Sequence, residues 1–367
     1  MKVLCFANTS WYLWNFRKKF LEDAVARGHE VIVLAPDSDY QKRFEILGCQ
    51  FHLVRLLPNQ TNVVRELAAL WRIIYLYRSL QPQVAFHFTI KPVIYGSISC
   101  WLSNVKAINT ITGLGNLFLR KRIGVWIGSC LYRLIKSVPT WTFFQNPDDQ
   151  KFFVDRSLVN ETKHSVVPGS GIDLKFYCYS PKYVRSEQFC FLFIGRILKE
   201  KGIVELMDAT RYLKNSEKKF QVLVVGKLEL DDVNQKFLFQ LEEWANGGLA
   251  KLVGFVDDVR GLIKNCDCVV LPSYREGVPR SLLEGAAIGR PLIATNVPGC
   301  KEIVIDQCNG FICVPKSGED LARKMSEMMK LSDTERQSMG EFGREYVEQK
   351  FDQGLVNANY LQWVRKS

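Results

Sequence analysis

Two glutamates eight positions apart carry the first chemical signal in this chain. They lie in Glu276-Gly277-Val278-Pro279-Arg280-Ser281-Leu282-Leu283-Glu284, which follows the apolar run Cys268 to Leu271. Proline suits the start of a helix, where no N–H is required of it, so Pro279 marks a helix beginning. Glu276 then sits in the loop ahead of that helix and Glu284 on the helix itself. The backbone N–H groups at Gly277, Val278, Arg280 and Ser281 point out of the helix start, where an anion is favoured. Either glutamate alone suits an ordinary capped helix. A second segment makes the pair more telling: after the apolar run Phe189 to Ile194 comes Gly195-Arg196-Ile197-Leu198-Lys199-Glu200-Lys201-Gly202. Glycine lets backbone approach a ligand closely, and Arg196 and Lys201 add two cations to the positive end of the next helix. The combination reads as a phosphate site faced by two carboxylates.

Other candidates are weaker. Asp37-Ser38-Asp39 has metal-binding residue types, but it follows a strand and Pro36 as a polar turn does, and no metal site is expected there. Cys266-Asp267-Cys268 has the wrong spacing for zinc and no second Cys/His pair nearby. Gly113-Leu114-Gly115 follows a strand as a dinucleotide fingerprint would, yet Phe118 stands where the third glycine belongs, so NAD is not expected. The 11 cysteines, odd in number and without repeated spacing, read as buried thiols. His29, His52 and His164 read as structural. His87 ends a strand on the side where ligands bind and is a candidate for substrate contact.

The elements that must position these residues alternate. At 367 residues the chain is long enough for two domains. Strands are expected at Val3 to Ala7, Glu30 to Ala35, Phe51 to Leu56, Val84 to Phe88, Lys106 to Ile111 and Thr140 to Gln145. Helices are expected at Trp14 to Arg27, Val63 to Leu80, Tyr95 to Leu102 and Val125 to Lys136, and Asn146-Pro147-Asp148-Asp149 reads as a helix start. A second series of strands runs through Phe189 to Ile194, Phe220 to Val225, Leu252 to Phe255, Cys268 to Leu271, Pro291 to Thr295 and Gly310 to Val314. Alternation of this kind implies α/β architecture with two Rossmann-like, doubly wound parallel sheets. Ligands bind beyond the carboxyl ends of such strands, so the two domains are expected to face each other across a cleft. The expected boundaries are 1–175, 176–350 and a C-terminal helix in 351–367 that packs back toward the first domain.

Composition narrows the class further. Hydrophobic residues at 47% and charged residues at 24% are those of a globular protein. The most apolar window, Ile123 to Ile135, is broken by Gly128, Ser129 and Arg133, short of a membrane span. Met1 to Ala7 lacks the features of a leader, so a cytoplasmic location is expected. The net charge of +11 is concentrated: residues 1–175 hold 22 Lys and Arg against 12 Asp and Glu, whereas the remainder holds 27 against 26. No acidic residue lies between Glu66 and Asp148, where Trp71, Tyr75, Trp101, Trp126 and Tyr132 are interleaved with nine cations. Basic and aromatic residues together suit an anionic membrane surface, and the cluster Arg120, Lys121 and Arg122 is expected to dock there. Nucleic acid is a rival partner for the same charges.

The motifs together resemble a known family. Gly195-Arg196 with Lys201, then Glu276 and Glu284 in a Glu-Gly-x-Pro context, is similar to the retaining glycosyltransferases of family four, which have the two-domain GT-B fold. Val166-Val167-Pro168-Gly169-Ser170-Gly171-Ile172-Asp173 resembles that family's interdomain segment. Trp11 to Arg17, His87 to Lys91 and Thr112-Gly113-Leu114-Gly115 resemble bacterial enzymes that add N-acetylgalactosamine or a related sugar to a sugar on polyprenyl diphosphate. The resemblance implies that Arg196 and Lys201 hold the donor diphosphate, and that Glu284 holds the ribose hydroxyls. Glu276 with the Gly277 and Val278 backbone would meet the transferred sugar, and the Phe255 segment the base. Gly195, Pro279 and Arg280 would complete the donor site. Asn8, Arg17, Lys91, Thr112 and Gly113 would bind the acceptor, and His87 and Glu276 would stand at the reacting atoms, Glu276 as an orienting group.

By the same resemblance the partners are a nucleotide sugar, expected to be a UDP-sugar acting as substrate, a lipid-linked saccharide acceptor and an anionic membrane. No cofactor, no metal and no nucleic acid are expected. The setting implied is assembly of a bacterial surface glycan such as O-antigen, with the protein peripheral on the inner face of the cytoplasmic membrane. The alternatives are a nucleotide-sugar epimerase of the same fold, which would leave the basic and aromatic half unexplained, and a nucleic-acid-binding protein.

Overall fold

The computed structural model describes every residue except 55, 57–62, 115–121, 182–187, 215–218, 229–234 and 365–367, together with the side chains of 63, 122–124 and 236. The chain forms two compact units, one from Met1–Gly171 plus the segment that begins at Gln353, the other from Ile172–Asp352.

The first unit runs β1 (Lys2–Phe6), α1 (Ser10–Ala26), β2 (Glu30–Ala35), α2 (Gln41–Ile46), β3 (Gln50–Leu53), α3 (Val63–Leu80), β4 (Val84–Phe88), α4 (Ile90–Ser103), β5 (Lys106–Ile111), α5 (Arg122–Ile135), β6 (Trp141–Phe144), α6 (Pro147–Asp155) and β7 (His164–Val166). Its strands pair in parallel in the order β3-β2-β1-β4-β5-β6-β7. Strands covered on both faces read as unbroken apolar runs, which is why Val3 to Phe6 and Val84 to Phe88 are buried throughout. Thr9 caps α1 by accepting a hydrogen bond from the Tyr12 N–H at 3.0 Å, and Gly28, at a φ of +76°, follows its end.

The second unit runs β8 (Phe189–Ile194), α7 (Ile203–Tyr212), β9 (Phe220–Val225), α8 (Gln235–Asn246), β10 (Ala250–Gly254), α9 (Arg260–Asn265), β11 (Cys268–Leu271), α10 (Arg280–Ile288), β12 (Leu292–Thr295), β13 (Gly310–Cys313), α11 (Gly318–Lys330) and α12 (Asp333–Phe351). The strand order is β10-β9-β8-β11-β12-β13, again parallel. Both sheets are therefore doubly wound. In the second, the order reverses between β8 and β11, the position at which doubly wound sheets place their ligands.

The last helix, α13 (Gln353–Leu361), belongs to the first unit. Its Tyr360 is fully buried, with ring centroids 4.8 Å from Phe143 and 5.8 Å from Phe20. Burying a side chain of this size contributes roughly 2 to 3 kcal/mol, so the tail is part of the first unit's core. Several elements differ from the sequence expectation. Helix α4 starts five residues earlier than Tyr95, because Pro92 falls in its first turn, where no N–H is needed. Helices α2 and α12 have no counterpart among the expected elements, although Ser332 and Glu335 form a capping box at the start of the latter.

Candidate functional site

The second unit brings its chemistry-bearing loops together at that switch point, and three glycines allow it. Gly202 has a φ of +76°, and a Cβ there would stand 2.0 Å from the Pro272 carbonyl oxygen, so the loops after β8 and β11 touch backbone to backbone. Gly226, after β9, would place a Cβ 1.8 Å from the Gly195 oxygen, and its N–H donates to the Gly254 carbonyl at 2.9 Å. Gly299, after β12, would place one 2.6 Å from the Glu276 oxygen. Hydrogen bonds lock the same loops: the Tyr274 N–H donates to the Glu200 carbonyl at 2.9 Å and the Glu276 N–H to the Pro298 carbonyl at 3.1 Å. Gly195 itself is less constrained, its nearest neighbour to an added Cβ being Phe193 Cζ at 3.4 Å.

Lys201 and Glu276 meet in this arrangement. The ammonium Nζ lies 2.5 Å from Glu276 Oε1, with both side chains mostly covered. Lys201 stands just ahead of α7: it ends a single 3₁₀ turn, Lys199–Lys201, before Gly202 turns the chain into the helix. Arg196 is exposed on the loop that follows β8.

A second cluster forms around Glu284. Pro279 stands one position outside α10, as its cap, and Glu284 lies in the second turn. The carboxylate is buried; it accepts hydrogen bonds from the Tyr177 hydroxyl at 2.8 Å and from Arg280 Nε at 3.2 Å. Burial pushes the Glu284 carboxyl up from its ordinary range, while Arg280 and Tyr177 pull it down. Burial likewise works against the Arg280 charge, and Glu284 and Tyr177 more than offset it. Tyr177 was missed by sequence reasoning: it stands 107 residues from Glu284 in a segment with no periodicity. Gly277 and Val278 lie between the two clusters in sequence, and Phe255 is exposed just after β10.

Chemically, an ammonium held beside a carboxylate on converging loops suits the departure of a phosphate-type leaving group. Fixed cations stabilise the negative charge that develops on it, and cost no reorganisation at the moment of reaction.

The first unit distributes its candidates unevenly. Asn8 follows β1, and Thr112 and Gly113 follow β5, all at carboxyl ends of the sheet. Lys91, at the start of α4, is paired with Glu66 at 2.5 Å. His87 is a correction. It is fully buried, its Nε2 is 2.9 Å from the Tyr77 hydroxyl, and its Nδ1 is 2.7 Å from Asn109 Oδ1. Burial holds its pKa down at about 4, so the ring is a neutral core group with both nitrogens occupied. Arg17 is a second correction: it is 1% exposed, its guanidinium over the Phe88 and Tyr360 rings at 4.5 Å and 4.7 Å. It is packed as a core cation rather than offered to a ligand at the surface. Of the expected membrane cluster, Arg120 and Lys121 lie outside the described residues, as does the Arg122 side chain.

Asp37 accepts hydrogen bonds from the Ser10 hydroxyl and, at 2.9 Å, from the Ser10 N–H, which ties it to the start of α1. Among the described residues, no group of three or more His, Cys, Asp or Glu side chains could hold a metal ion. The cysteines are all free thiols; eight are buried, but Cys130, Cys178 and Cys308 are exposed, contrary to the expectation of uniform burial.

Comparison with known proteins gives consistent findings. The family described as glycosyl transferases group 1 matches residues 180–346, and the glycosyl transferase 4-like family matches residues 2–134. The chain is 24% identical over 347 residues to the N,N'-diacetylbacillosaminyl-diphospho-undecaprenol alpha-1,3-N-acetylgalactosaminyltransferase of Campylobacter jejuni, covering 90% of this chain and 89% of that protein. It is 22% identical over 271 residues to the UDP-Gal:alpha-D-GlcNAc-diphosphoundecaprenol alpha-1,3-galactosyltransferase of Escherichia coli, covering 71% and 69%. Among solved structures, HepE of Anabaena in complex with UDP and glucose superposes with a TM-score of 0.82 at 16% identity over 99% of both chains. WaaG, a glycosyltransferase involved in lipopolysaccharide biosynthesis, gives 0.75 at 15% over all of both. These two likenesses are of fold.

Proposed function

We propose, on the premise that the chain belongs to the group 1 and 4-like glycosyltransferases, that it moves a sugar from a UDP-sugar to a saccharide carried on polyprenyl diphosphate, with retention at the transferred carbon. The observation that carries the proposal is the Lys201 to Glu276 contact on loops held together at the β8/β11 switch point, with Glu284 on the helix that follows. Arg196 and Lys201 take the donor diphosphate and stabilise its developing charge, in the place where a divalent cation would otherwise be needed. Glu284, held by Tyr177 and Arg280, takes the ribose hydroxyls, and Glu276 with the Gly277 and Val278 backbone orients the sugar. The acceptor hydroxyl attacks on the face that the leaving group departs from, so no enzyme nucleophile is required. Asn8, Thr112 and Gly113 serve the acceptor from the first unit, with Lys91 at the start of α4.

The acceptor class is supported by the two relatives whose names specify a diphospho-undecaprenol sugar, and UDP by the nucleotide in the HepE complex. The work is done at the inner face of the cytoplasmic membrane, in surface-glycan assembly. No described helix is long and apolar enough to cross a membrane, so association is peripheral in this reading.

The test is a panel of nucleotide sugars, with and without a short polyprenyl diphosphate saccharide and with chelator present. Release of UDP that depends on the acceptor is the expected outcome. Conversion of the donor sugar without an acceptor would replace this reading by epimerisation, and consumption of no nucleotide sugar would remove it.

A further inference from the structure

Helices α3, α4 and α5 pack side by side on one face of the first unit's sheet. A solvent-facing helix surface is ordinarily polar. Here the outward positions carry large apolar groups instead: Trp71 and Tyr75 on α3 are 65% and 69% exposed, Trp101 at the end of α4 is 69% exposed, and Trp126 and Leu134 on α5 are 68% and 72% exposed. The spacing puts Trp71 and Tyr75 on one side of α3, since they are one helical turn apart. The inward residues of the same helices, Ile73, Tyr77, Tyr132 and Ile135, already fill the core, so the outward aromatics are surplus to it. Arg78 Nη2 donates to the Leu102 carbonyl at 3.4 Å, which brings the ends of α3 and α4 that carry Tyr75 and Trp101 together.

The charge on this face has one sign. Arg72, Arg78, Arg133 and Lys136 are exposed on or beside α3 and α5. The three helices contain a single carboxylate, Glu66, and it is turned inward to Lys91 and Tyr95 of α4.

We propose that this three-helix face is a membrane-docking surface, seated on an anionic bilayer by insertion of Trp71, Tyr75, Trp101 and Trp126 among the headgroups with the cations around them. Tryptophan and tyrosine are favoured at that depth because an apolar ring with a polar edge matches the interface, and anionic headgroups complement the cations. A second copy of the chain is the poorer occupant, since a two-fold contact sets each cation of the face against the same cations. The inference rests on the reading that the acceptor is lipid-borne, and extends it by assigning the surface that brings the protein to that lipid. It differs from docking by the Arg120 to Arg122 cluster in being held by apolar contact, which salt does not screen.

The experiment uses the full chain and vesicles of phosphatidylglycerol mixed with phosphatidylcholine, followed by cosedimentation and by quenching of tryptophan fluorescence with brominated lipid. The wild type is expected to bind, to be quenched, and to keep part of its binding at high salt. The triple variant W71S/Y75S/W126S is expected to partition about tenfold less or weaker, because its apolar contacts are gone while its cations remain. All three positions are exposed, and unchanged far-UV circular dichroism verifies that the variant is folded. Equal partitioning of variant and wild type overturns the proposal. So does a wild-type dimer that ignores vesicles and dissociates in the variant, which makes a second copy the occupant. Transfer to a water-soluble acceptor analogue separates the two readings: its absence in the wild type removes the proposed function, while the vesicle comparison alone decides the docking surface.

Discussion

The Lys201 ammonium stands 2.5 Å from the Glu276 carboxylate, 75 residues apart in sequence. Neither residue is on regular helix or strand: one ends a 3₁₀ turn and the other lies in the loop after β11. What brings them together is backbone contact between Gly202 and Pro272, so the pair is set by the fold before any ligand arrives. In the proposed reaction the diphosphate competes with Glu276 for the ammonium, and frees the carboxylate to meet the sugar.

Replacing either member is therefore expected to act on turnover. Lys201→Met and Glu276→Gln should each lower kcat by about two to three orders of magnitude, corresponding to roughly 2.7 to 4 kcal/mol of lost transition-state stabilisation. Steady-state kinetics with the best donor of the panel checks this, and wild-type turnover in either variant contradicts the site assignment.

The Glu284 cluster should answer differently. Tyr177→Phe removes a hydrogen bond to a buried carboxylate, a loss of about 1 kcal/mol, and should raise the donor KM several-fold with kcat little changed. Glu284→Gln should raise it further, because the charge that faces Arg280 is removed as well. A change confined to kcat would assign the cluster to chemistry instead of donor binding.

Two glycines one turn of loop apart should differ in tolerance. Gly202→Ala forces a side chain into the left-handed region and onto the Pro272 carbonyl, at an expected cost of about 2 to 4 kcal/mol, and should lower activity through Lys201. Gly195→Ala meets nothing closer than 3.4 Å and should cost well under half as much. Urea denaturation of the two variants makes the comparison.

His87 supplies a pH prediction for stability. Its folded pKa of about 4 lies below the unfolded value of 6.5, so the unfolded chain takes up the proton first as pH falls. The contribution is fully present above pH 6.5 and is lost progressively down to about pH 4, amounting to roughly 3 kcal/mol over that window. His87→Gln should be less stable at neutral pH yet show a shallower loss between those limits. Denaturant midpoints across the range decide it: parallel curves for variant and wild type contradict the buried, neutral ring.

Several features are determined by sequence on its own, and for a local reason. Alternating apolar runs and helical periods specify both doubly wound sheets, because strands buried on two faces leave no other pattern. The motif residues Gly195, Arg196, Lys201, Glu276 and Glu284 stand out in the sequence because they lie in the loop, or at the start of the helix, that follows a strand, where α/β folds place their ligands. Tertiary structure decided the rest. It placed Tyr177 against Glu284, and it withdrew His87 and Arg17 into the core although both have residue types suited to a site. It also set the Trp71, Tyr75 and Trp126 side chains outward on α3 and α5, which flank α4 and are separated in sequence by β4, α4 and β5. Burial and partner depend on which elements pack together. A residue's type and its spacing along the chain carry only the part of that information that lies within one element.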